Sequence, residues 1–277
     1  MAEPMIISAT GAGTTSQRVA SPGLPDVLRD IARGGIAGAL AGSVIGGLGG
    51  RLVMRLVALL HPDATGLFTE NGNRVGDITL GGSAFVVLFG LTVGLVAGVV
   101  WVVAGPWVPG APRLRAFLTA GLAVTIGTPL LIIGRNPDFV LLDHDPRVVA
   151  LLVSLVGLVG LSIPPIDGWL ERQLPRAGLA RTRWTVLYAV IAVIGAVLVL
   201  PLALLSFLAA DEYELPIRAG YALVVVGLCT AASWALRGRG RPELPRSLEI
   251  AARGALLIAS VLGVLTTLPH IAGALGG

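Results

Sequence analysis

Apolar runs of about 20 residues, the length that carries a helix across roughly 30 Å of hydrocarbon, recur along the chain from residue 34 almost to its end. Short connections that gather the prolines, acids and arginines separate them. The alternation predicts seven spans, at about 34–60, 82–104, 116–134, 148–163, 185–208, 217–236 and 250–268. The expected fold class is all-α, a polytopic seven-transmembrane-helix bundle. Residues 1–30 are rich in Gly, Ser, Thr and Pro and read as a flexible cytoplasmic tail, without the charged start and short apolar core of a signal peptide. Residues 31–277 read as a single transmembrane helical domain.

The first span has a second pattern inside it. Glycine recurs at Gly34, Gly38, Gly42, Gly46 and Gly50, a small-xxx-small ridge that lets another helix approach to backbone distance in lipid. The neighbouring ridge ends in Arg51 and Arg55, one helical turn apart. The five glycines are the expected helix-packing residues, either within the bundle or against a membrane-protein partner.

Composition agrees with a lipid environment, since 55% of residues are hydrophobic and 13% charged. The basic residues are all arginine and lie mostly in the connections, which points to membrane orientation rather than to nucleic acid. With the N-terminus inside, thirteen of the twenty arginines fall on inner connections and four on outer ones, leaving the C-terminus outside. The five tryptophans gather near the inner ends, where they are expected to anchor at headgroup level. The arginine-only composition suggests a bacterial plasma membrane. Cys229 stands alone, which excludes an intrachain disulfide.

Polar features collect on the predicted outer side. Asp63, Glu70, Asp77, Asp138, Asp143, Asp145, Asp211, Glu212 and Glu214 lie there, with all three histidines. Thr128 before Pro129, then Thr266, Thr267 and Pro269, break or close the helices in the same half, and a proline inside a span frees a carbonyl that another group must satisfy. The expected picture is a polar outer vestibule above a tightly packed, charge-free inner half. Arg51, Arg55, Thr128, Thr266 and Thr267 are its candidate ligand-binding residues. The two arginines either pair with outer carboxylates or hold an anionic small molecule or lipid headgroup through guanidinium forks. Asp143, His144 and Asp145, joined by His61 or His270, are the candidate metal ligands, although no ligand spacing of a known type supports them.

Several classes fall away. Without lysine there is no retinal Schiff base, Walker-type phosphate loop or pyridoxal site in this chain, and no cofactor is expected. Asp167, Gly168 and Arg172 superficially resemble the opening of the CDP-alcohol phosphotransferase motif, but the later aspartates are missing. Three readings stay open: binding or transport of an anion, a non-catalytic assembly subunit docking through the Gly34–Gly50 ridge, and an outer-face Asp/His enzyme.

Overall fold

The computed structural model describes residues 23–69, 72, 74–175, 182–208, 217–239, 241 and 243–277. Among them seven helices are long and apolar enough to cross a membrane, and none of the described residues forms a β-strand. The seven are α1 (Leu24–Leu60), α2 (Leu80–Ala104), α3 (Pro112–Leu131), α5 (Pro146–Gln173), α6 (Thr182–Leu208), α7 (Ile217–Gly238) and α8 (Arg246–Ala274). A short α4 (Pro137–Leu141) lies in the connection between α3 and α5. The tail through residue 22, Glu70 and the acids Asp211, Glu212 and Glu214 lie outside the described residues.

Helix α1 begins at Leu24, ten residues before the expected Gly34. The Asp26 carboxylate accepts the Gly23 amide at 3.0 Å and Pro25 occupies the first turn, so the helix has a start signal well before the apolar run. Inside α1, Gly42–Gly49 is π-helical. A π turn holds one residue more than an α turn, and this displaces the glycine ridge.

The ridge packs on α2 of the same chain, whose facing positions are Gly90, Gly94 and Gly98. A methyl group on Gly38 would strike the Gly94 carbonyl, and one on Gly42 the Gly90 carbonyl. Past the π segment the close approach continues at Gly47, where a Cβ would lie 2.8 Å from Val87 Cα, while Gly46 has only ordinary contacts at 3.6 and 3.7 Å. Contact passes from 42 to 47 rather than from 42 to 46.

Around this pair, α5 and α6 pack on α1, α3 sits between α5 and α8, and α7 joins α8 to α2. Leu187, Val190, Val193, Ile194 and Val197 of α6 are exposed, as expected of a peripheral helix facing acyl chains. Two tryptophans placed at the headgroup level by the sequence pattern are internal instead. Trp107 donates from Nε1 to Thr230 Oγ1 at 2.8 Å, and Trp101 lies under the Arg115 guanidinium, 5.3 Å from its ring centre. Each has found the polar partner that a buried indole or guanidinium needs.

Candidate functional site

At the end of the bundle away from residue 23, a cavity of about 530 Å³ opens between α1, α2, α5, the 69–79 connection and the α3–α4 region. Its polar lining includes Arg51, Arg55, Arg74, Asp77, Asn136 and Asp138. Arg51 and Arg55 share one face of α1 because they are four residues apart. Among the described residues Arg51 Nε is buried without a hydrogen-bond partner, and Nη1 meets the Met54 sulfur at 3.8 Å. Its Nη2 lies against Gly82, where a Cβ would stand 2.5 Å away, so the glycine leaves room for the guanidinium. Arg55 is exposed and donates a long bond of 3.5 Å to the Gly76 carbonyl. Arg74 sits over the Phe68 ring at 5.1 Å.

Ion pairs are made by Arg33, His61, Arg147 and Arg253. None of these engages Arg51, Arg55 or Arg74. Among the described lining residues three guanidiniums stand against two carboxylates.

The other candidate residues go elsewhere. Thr128, Thr266 and Thr267 are not in the cavity lining. Pro129 has no N–H for the Thr125 carbonyl one turn back, and Thr267 of α8 supplies the missing donor, its hydroxyl reaching that oxygen at 2.7 Å. Thr266 bonds within its own helix to the Leu262 carbonyl at 3.0 Å. Thr128 is fully buried, and its hydroxyl has no hydrogen-bond partner among the described residues.

The candidate metal ligands disperse in the same way. His61 Nε2 is 2.9 Å from Asp145 Oδ2, and Asp145 also caps α5 by accepting the Arg147 amide at 2.8 Å. Hydrogen bonds from the Arg147 side chain and amide hold the Asp145 carboxyl down at about 2. His144 meets the Ala274 carbonyl at 3.0 Å, and His270 Nδ1 accepts the Gly134 amide at 3.3 Å. Asp143 and His144 both have positive φ, in the left-handed region. Among the described residues no three metal-ligating side chains converge.

The opposite end, where most arginines were expected on the connections below a charge-free inner half, holds an ionic cluster that reaches into the helix packing. Arg33 Nε donates to Asp167 Oδ1 at 2.6 Å, with Glu171 at 3.4 Å and Asp30 at 3.7 Å. Arg29, 7% exposed, donates to the Glu171 and Leu174 carbonyls at 2.8 and 2.9 Å. A smaller cavity of about 210 Å³ adjoins the cluster, lined also by Arg115, Trp101, Trp234 and Arg237. Desolvating Arg33 and Asp167 together is tolerable because each satisfies the other. The Asp30–Arg33 spacing on one helix face was a signal in the sequence, but its partner lies 134 residues away.

No family model, no curated protein and no solved structure matches this chain.

Proposed function

We propose that this multi-pass membrane protein binds or transports an anionic solute or lipid headgroup at the cavity lined by Arg51 and Arg55. One observation supports the reading above the others: two arginines of one helix face reach a 530 Å³ cavity with no carboxylate paired to them among the described residues. Buried or half-buried charge is otherwise neutralised by a partner, and the Arg33 cluster demonstrates how this same chain does so. A cavity of this size lies within the ~300–1,000 Å³ range of small-molecule sites. In this reading the protein resides in a bacterial plasma membrane with the N-terminus inside, as the arginine distribution favours, so the cavity faces outward.

The test uses purified full-length protein in a neutral detergent. Cys229 is the single cysteine and is buried, so a thiol-reactive dye reports unfolding. Phosphate, sulfate, citrate and phosphatidylglycerol are each titrated at constant ionic strength. At least one is expected to raise the melting temperature of the wild type and not that of R51Q/R55Q. If no anion raises it, or the double variant responds equally, the proposal fails.

A further inference from the structure

We infer that the ligand of this cavity is an amphiphile, with a phosphate or carboxylate head at Arg51, Arg55 and Arg74 and a hydrocarbon portion along the apolar wall; the inference rests on the anion-binding reading above. Three observations lead to it.

The first is the division of the lining. Beside the arginines the wall is built from Val86, Leu131, Phe139, Leu142, Val148 and Leu152, with Phe139, Leu142, Val148 and Leu152 packed against Val53 and Val57 of α1. A small hydrated anion gains nothing from such a surface, whereas an alkyl chain laid against it gains about 25 cal/mol per Å² removed from water. Arg51 is level with Gly82, and Gly50, next toward the bundle's middle, packs on Val86.

The second is the way in. Met54 of α1 and Phe85 of α2 both line the cavity and are 49% and 56% exposed. Both helices are long and apolar enough to cross a membrane, so an amphiphile entering past Met54 and Phe85 would come from the acyl-chain region. Met54 is also the residue that covers Arg51 Nη1. A flexible, polarizable methionine is a side chain suited to such a movable position.

The third is depth. Helix α1 has 37 residues, about 55 Å at 1.5 Å per residue, longer than the roughly 40–45 Å of a whole bilayer. It therefore projects beyond the membrane. Between the last charge of the inner cluster, Arg33, and Arg51 lie seventeen uncharged residues, 34–50, which cover about 26 Å, close to the thickness of the hydrocarbon. Arg51 then stands at the hydrocarbon boundary, and Arg55 one turn farther out, at the level of lipid phosphates.

The experiment compares four probes on the full-length protein in dodecyl maltoside, read by Cys229 labelling during heating: phosphatidylglycerol, oleate, phosphatidylcholine and inorganic phosphate, the last at matched ionic strength. Phosphatidylglycerol or oleate is expected to raise the melting temperature saturably, with phosphatidylcholine and inorganic phosphate ineffective. R55Q removes an exposed side chain and leaves the half-buried Arg51 in place, so it keeps folding in reach, and it is expected to weaken the apparent lipid affinity about tenfold, the loss of one charge-assisted bond. R51Q/R55Q is expected to abolish the shift. Inorganic phosphate acting as strongly as the lipids would overturn the amphiphile and leave the anion site standing. Phosphatidylcholine acting as strongly would overturn the anionic head. No response to any probe would overturn both readings, and an undiminished lipid response in R55Q would remove the ligand from this cavity.

Discussion

Alanine at Gly46 and at Gly47 should have opposite consequences, because the π segment of α1 decides which of the two faces α2. Both substitutions replace a helical glycine and gain the same propensity, about 1 kcal/mol, so the difference between them isolates packing. At Gly46 the new methyl meets neighbours at 3.6 and 3.7 Å, ordinary contact distances. At Gly47 it falls 2.8 Å from Val87 Cα and 3.2 Å from Val87 Cγ2, and the backbone atom cannot move aside without shifting α2. Overpacking of this kind costs about 1–3 kcal/mol, so Gly47→Ala should be less stable than Gly46→Ala by that amount, roughly five- to 150-fold in the unfolding equilibrium. Gly42→Ala, whose methyl would strike the Gly90 carbonyl, supplies the reference for a disrupted contact. Reversible unfolding in mixed micelles, followed by Cys229 accessibility, measures all three. If Gly46→Ala is as damaging as Gly42→Ala while Gly47→Ala is harmless, α1 is a continuous α-helix with an unshifted ridge and the account of the packing is refuted.

Other consequences are as direct. Asp167→Asn should destabilise the protein by about 3 kcal/mol, the low end for breaking a buried pair, since Asp30 and Glu171 still flank Arg33; a melting temperature unchanged from wild type would show the cluster to be solvated. Thr267→Val should cost about 1–2 kcal/mol by stranding the Thr125 carbonyl, and much less in a Pro129→Ala background, where residue 129 regains an N–H for that oxygen; equal costs in both backgrounds would contradict the repair. Asp145 is held near 2 against an ordinary 3.8, so its stabilising contribution is complete above about pH 4 and is lost as pH falls through 2. Wild-type melting temperature should therefore drop more than that of Asp145→Asn between pH 5 and pH 2, and parallel curves would exclude the linkage.

The spans were legible in the sequence because crossing hydrocarbon is a local demand: each needs an uninterrupted apolar run, and α2, α3, α5, α7 and α8 lie within a turn or so of their predicted starts. α1 departs at its start, and α5 continues ten residues past its expected end, because charged turns there are buried against each other, Arg33 with Asp167. The glycines of α1 announced a close approach without saying to what; Gly90, Gly94 and Gly98 became its partner only when the chain folded back, and the π segment then moved the contact to Gly47. Thr267 and the histidines have side chains that serve a binding site or a structural bond equally well, and it is neighbours far away in sequence that choose: the carbonyl freed by Pro129, Asp145 for His61, Ala274 for His144. Arg51 and Arg55 could be picked out as charges in an apolar helix from the residues alone. That no described carboxylate meets them, and that a cavity with an oily wall does, depends on how α1, α2 and α5 are rotated about their axes, a matter of side-chain packing between helices that the pattern along any one of them does not encode.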